Sequence, residues 1–205
     1  GNLTGSGLDN TLFAGNGTNV LDGQGGVDTA CYLYATAWVS VSLATTAAQA
    51  TGGSGTDTVR NIENLTGSAF NDTLTGSAGG NVIDGGSGND TITGGGGADF
   101  LTGGAGADTF VYLAATDSLW MPGRDAILDF TTGLDKLSLV GIDANDGVVG
   151  DQAFSSTFIS SGDFTAVGQL KWEGGVLYGN TDSDFGDAEF VLQITGSVVA
   201  ADVLL

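Results

Sequence analysis

Between residues 67 and 111 one apolar side chain recurs every nine residues, set among small and polar ones. The stretch divides into five units: GSAFNDTLT, GSAGGNVID, GGSGNDTIT, GGGGADFLT and GGAGADTFV. Leu74, Ile83, Ile92, Leu101 and Phe110 hold the eighth place, and Asp72, Asn81, Asp90, Asp99 and Asp108 the sixth. An apolar residue between two polar ones predicts a three-residue strand with a single side chain turned inward. The six Gly-rich residues before it suit a tight turn, because glycine takes positive φ without a Cβ penalty. Two units make one coil, and stacked coils make a parallel β-solenoid. The same register fits residues 5–31 three times, with Asn10, Asn19 and Asp28 at the sixth place.

Elsewhere the pattern changes. Trp38–Leu43 alternates like a half-buried strand, and Ala44–Gly55 reads as a loop. After residue 112 the glycine period stops, and Ala126–Asp129, Lys136–Val140, Gln169–Trp172, Val176–Tyr178 and Glu189–Ile194 read as short strands. Internal matches tie the two arrays together: Asn19-Val20-Leu21-Asp22-Gly23 recurs at 81–85, and GVDTACYLYAT at 26–36 parallels GADTFVYLAAT at 106–116. The expected organisation is a first array with a strand and loop insert (1–62), a second array (63–111) and a β-sandwich-like cap (112–205) that shields the last coil. The fold class is all-β, a parallel β-roll with that cap.

Charge adds a chemical constraint. The chain holds 24 acidic and 4 basic residues and no His, for a net charge of −20. Without His, Ser-His-Asp triads and His-based zinc sites are excluded. The acidic surface disfavours nucleic acid and anionic membranes, and no apolar run reaches the ~20 residues of a membrane helix. In the solenoid Asp72, Asp90 and Asp108 stack on one side, and Asn81 and Asp99 on the other. Carboxylates one strand spacing apart, ~4.8 Å, repel unless a cation lies between them. Oxygen-only ligands on flexible turns select a hard cation, Ca²⁺ before Mg²⁺.

The motif G-G-x-G-x-D-x-U-x in residues 67–111 resembles the RTX (hemolysin-type) calcium-binding repeats. That resemblance implies ions between turns two units apart. The lower turn gives its sixth-place side chain with the second and fourth carbonyls, and the upper its sixth-place side chain with the first and third. It assigns Gly86, Gly88 and Asp90 with Gly103, Ala105 and Asp108 to one site. Ser68, Phe70 and Asp72 with Gly85, Ser87 and Asp90 form a second. Ser77, Gly79 and Asn81 with Gly94, Gly96 and Asp99 form a third, weakest because Asn81 is uncharged. Gly95 and Gly97 belong to the same metal set, as does Asp28 of the first array, which reads as a weak or single site. Spacing adds Glu63, eighteen before Asn81, Asp117, eighteen after Asp99, and Asp125, seventeen after Asp108. Asp117 and Asp125 either close the far end of the ladder or are plain surface acids.

The run GRDAILDFTTGLDKLSLVGIDAN resembles the C-terminal domain of serralysin-type secreted proteases, with Ser138 where the family pattern has an acid. Related modules occur on alginate epimerases, lyases and lipases. The terminal Asp202-Val203-Leu204-Leu205 is similar to the uncleaved signal read by type I exporters; otherwise it is the last strand of the cap. The resemblance implies a non-catalytic module, carried on a larger extracellular bacterial protein without an N-terminal signal peptide. Its implied partners are several calcium ions, a type I exporter and an N-terminal catalytic or adhesive domain. A polysaccharide-binding or adhesin module is the alternative.

Smaller features read blandly. The stretch Asn180–Asp187 is similar to the start of an EF-hand but lacks its glycine, which favours a polar hairpin. Trp38, Trp120 and Trp172 suit packing or cap contact better than sugar stacking. Cys31, the only cysteine, reads as a small strand residue.

Overall fold

From Asn64 to Val111 three-residue strands alternate with Gly-rich turns, as a nine-residue code with one inward residue per strand dictates. The computed structural model describes residues 1–120, 122–145, 147, 152–159, 162–183 and 188–205. Among them the strands form three sheets.

A ten-stranded sheet runs from Thr11–Phe13 through Thr29–Cys31, Asn64–Thr66, Val82–Asp84, Phe100–Thr102 and Ala126–Ile127. It ends with Phe190–Ile194, Val176–Gly179, Leu170–Glu173 and Phe158–Ile159. Its first seven strands are parallel, and their register stacks Leu12, Ala30, Leu65, Ile83, Leu101, Ile127 and Ile194 in one row. A six-stranded sheet, all parallel, stacks Val41, Leu74, Ile92, Phe110, Leu137 and Val203 in a second row. A four-stranded sheet aligns Leu3, Leu21 and Val59. Except for partly buried Leu3, these residues are buried in one continuous core cluster. Each buried aliphatic side chain contributes about 2 kcal/mol.

The ten-stranded sheet crosses both expected boundaries, since Cys31 pairs with Thr66 and Phe100 with Ala126. The C-terminal segment thus extends the roll with the same parallel register before turning antiparallel through Leu170–Glu173, Val176–Gly179 and Phe190–Ile194.

One reading changes. The expected loop Ala44–Gly55 contains a strand, Gln49–Gly52, antiparallel to Gly55–Arg60. Gly52 (φ 63°) and Gly55 (φ 117°) make the tight connection, so a glycine cluster that reads as loop is a hairpin turn. The tail is also structured: Val203–Leu204 closes the six-stranded sheet beside Lys136–Ser138. Residues 184–187 of the expected polar hairpin lie outside the described residues. Cys31 is a buried strand residue whose thiol pKa burial pushes up. Trp172 packs partly buried against the core, while Trp38 and Trp120 are exposed.

Candidate metal centre

The sixth-place acids sit where a turn enters its strand, and they tie that turn to the coil before it. Asp72 Oδ1 accepts the Val39 N–H at 2.7 Å, Asp90 Oδ1 that of Asp72 at 2.7 Å, and Asp108 Oδ1 that of Asp90 at 2.8 Å. Asp135 Oδ1 continues the column by accepting from Asp108 at 3.0 Å. In the other column Asp28 accepts from Asn10 (2.7 Å), Glu63 from Asp28 (2.7 Å), Asp99 from Asn81 (2.8 Å) and Asp125 from Asp99 (2.8 Å). Asn81 Nδ2 donates to the Glu63 carbonyl at 2.6 Å, and the Asp28–Glu63 bond links the two arrays.

The second carboxylate oxygen behaves differently. Oδ2 of Asp28, Asp90, Asp99 and Asp125 is buried and accepts no hydrogen bond. An unpaired buried carboxylate oxygen is expensive, so these four atoms point to a missing positive partner. Desolvation by burial, with repulsion from neighbouring acids, pushes Asp90 up to about 7, Asp99 to about 6 and Asp125 to about 8. For Asp90 the neighbours are Asp72, Asp108 and Asp84, the first two also raised, chiefly by burial. Tyr112, buried beside Asp125, is raised as well, by burial first.

Glycine shapes the space around these oxygens. A Cβ on Gly85, Gly94 or Gly103 would run into the Oδ2 of Asp90, Asp99 or Asp108 in the same turn. A Cβ on Gly86, Gly95 or Gly104 would strike the Ser68, Ser77 or Gly86 carbonyl of the preceding coil. Ser68 O and Gly86 O each accept one N–H, from Ser87 at 3.2 Å and Ala105 at 2.9 Å, and keep a second lone pair. Carboxylate and carbonyl oxygens therefore line a cradle that a Cβ on any of these glycines would fill. Among the described residues no three acidic groups converge on one point, so carbonyls must complete any ligand set. The donors fit a hard, oxygen-seeking cation with adaptable coordination, which is calcium's chemistry.

The far end of the ladder is spaced differently from the sequence reading. Asp125 follows Asp99 at an offset of 26, and Asp108 is followed at 27 by Asp135. Asp117 lies outside both columns: in the 3-10 turn Ala115–Asp117, its Oδ2 accepts the N–H groups of Leu113 (2.9 Å) and Ala114 (3.0 Å). That turn lengthens the connection, so simple addition of eighteen mispairs the acids. Asp57 and Asp135 join the ladder without having a place in the repeat registers of 5–31 and 67–111. An acid two places before an inward apolar residue (Asp57 before Val59, Asp135 before Leu137) is the signal that finds them.

This architecture defines a parallel β-roll of repeated, oxygen-lined turns. Residues 2–30 match the RTX calcium-binding nonapeptide repeat family. Residues 34–205 match the family described as peptidase M10 serralysin C terminal, and the chain belongs to it. A comparison with curated proteins finds no match. Among solved structures, the AlgE6R3 subunit of the Azotobacter vinelandii mannuronan C5-epimerase is similar at 20% identity and a TM-score of 0.40, covering 98% of this chain and 80% of that one. The extracellular lipase LipA of Serratia marcescens is similar at 17% identity and a TM-score of 0.35, covering 100% of this chain and 40% of that one.

Proposed function

We propose that this chain is a non-catalytic calcium-binding module that couples folding to calcium outside the cell and serves type I secretion of a larger extracellular protein. The observation that carries this reading is the set of buried, unpartnered Oδ2 atoms on Asp28, Asp90, Asp99 and Asp125. Asp72, Asp90, Asp99 and Asp108, with the turn carbonyls of residues 68–105, would hold the ions; Asp28, Glu63 and Asp125 extend the set. Bound calcium supplies the positive charge that the stacked carboxylates lack and ties adjacent coils together.

The chain's own residues set the switch. Where calcium is scarce, a net charge of −20 and the repulsion of Asp90 by Asp72 and Asp108 oppose the compact roll. That keeps the chain open for export. Where free calcium is 100 times a site's Kd, each site adds ~2.7 kcal/mol, so three exceed half of a domain's ~5–15 kcal/mol. Binding free energy becomes folding free energy.

Circular dichroism tests this. Excess chelator should remove the β-signal and millimolar calcium restore it; a spectrum and melting temperature indifferent to chelator would overturn the reading. A polysaccharide-binding role has one observation in its favour, exposed Trp120 stacked on Tyr178 at 6.3 Å with Lys171 Nζ 5.0 Å from the Tyr178 ring. Glycan-array binding lost on Trp120→Ala would establish it.

A further inference from the structure

At one level of the roll a side-chain amide fills the space between two turns. In the unit 14–22 the sixth place is Asn19, and the overlying sixth place, in the unit 52–60, is Asp57. The atoms that elsewhere would face an ion are here the Gly15 and Gly17 carbonyls and the Asp57 carboxylate. Asn19 Nδ2 donates to all three, to Gly15 O at 2.6 Å, Gly17 O at 3.2 Å and Asp57 Oδ1 at 2.8 Å. The amide orientation follows from its partners, because the reversed carboxamide would set an oxygen against three acceptors.

The remaining valences are closed too. Asp57 Oδ1 also accepts the Asn19 N–H at 3.1 Å, and Asp57 Oδ2 accepts Thr51 Oγ1 at 2.8 Å. Ser54 Oγ donates to Gly15 O at 3.0 Å. Asn19, Thr51, Ser54 and Asp57 are all buried, and none carries an unpartnered polar side-chain atom. Asparagine alone does not produce this. Asn81 Nδ2 turns to the Glu63 carbonyl (2.6 Å) and Ser77 Oγ (3.2 Å), and Oδ2 of the overlying Asp99 stays without a partner.

We propose that the Asn19 carboxamide takes the place of a cation between the Asn19 and Asp57 turns, so that this level holds no calcium although residues 2–30 match a calcium-binding repeat family. A cation entering there would have to displace the Nδ2 group and break three hydrogen bonds, gaining one carboxylate where the Asp90 levels offer two. The hairpin Gln49–Arg60 supplies Thr51, Ser54 and Asp57, and so does at this coil what the ions would do further along.

The inference rests on the calcium reading of the other levels, and one experiment separates the two. Crystals of the full chain grown in millimolar calcium, measured at long wavelength, should show anomalous peaks between Asp90 and its neighbours and none between Gly15, Gly17 and Asp57. A peak at the Asn19 level overturns the inference while leaving the calcium reading intact. Absence of peaks everywhere overturns both. In solution, the ion count per chain should be the same for Asp57→Asn as for the natural protein, and lower by at least one for Asp90→Asn. Loss of an ion in Asp57→Asn would also overturn it; should that variant fail to fold, the wild-type map decides.

Discussion

Asp90 Oδ1 accepts the backbone N–H of Asp72 at 2.7 Å, while Asp90 Oδ2, buried in the same turn, accepts nothing. One carboxylate thus does two jobs. Half of it belongs to the turn-to-turn ladder, and half faces the glycine-lined space beside the turn carbonyls.

Asp90 lies between two acids, Asp72 and Asp108, whereas Asn81 contributes only a neutral oxygen. Asp90→Ala should raise the calcium midpoint of folding about tenfold, equivalent to ~1.4 kcal/mol, and Asn81→Ala less than about threefold. Calcium titrations followed by circular dichroism compare them, and equal midpoints would contradict the assignment.

In the calcium-free protein Asp90, Asp99 and Asp125 are pushed up to about 7, 6 and 8, mainly by burial. The unfolded carboxyls titrate near ~3.9, so between about pH 4 and 8 the folded chain binds more protons than the unfolded one. Stability must fall as pH rises through that window. In chelator the residual circular-dichroism β-signal should be higher at pH 5 than at pH 8, and added calcium should raise it more at pH 8. A higher value at pH 8 in chelator would refute this.

A Cβ on Gly85 would collide with Asp90 Oδ2 and lie 2.6 Å from the Gly103 carbonyl, while one on Gly79 meets nothing nearer than Ser77 Oγ at 3.8 Å. Gly85→Ala should therefore destabilise the calcium-loaded roll by about 1–3 kcal/mol, as overpacking does. Gly79→Ala should stay within about 0.5 kcal/mol. Thermal melts in saturating calcium would show whether the two differ.

Asp202 is buried, accepts from Gly133 N (3.0 Å), Lys136 Nζ (3.3 Å) and Val199 N (3.2 Å), and precedes Val203, which pairs with Leu137. Deleting Asp202–Leu205 should lower the calcium-loaded melting temperature by about 5 °C or more, since ~1 kcal/mol moves a domain of this size by ~2–4 °C. The same deletion should abolish secretion from a type I-competent host. Normal export of the truncated chain would discard the signal role, and an unchanged melting temperature the structural one.

By itself the sequence determined the local parts. The spacing of Leu74, Ile83, Ile92, Leu101 and Phe110 set strand length and the inward residue of each strand, and the acid two places earlier set which side chains line the turns. These are short-range consequences of a nine-residue code, so they can be read wherever the code is intact. Tertiary structure decided what the code does not span. The turn Ala115–Asp117 moves the next acids to Asp125 and Asp135, and the hairpin Gln49–Arg60 brings Thr51, Ser54 and Asp57 over Asn19. Val203 is drawn onto Leu137 across a long connection. Each of these depends on hydrogen bonds between residues far apart in the chain, and the length of the intervening loop does not reveal which carbonyl will meet which donor.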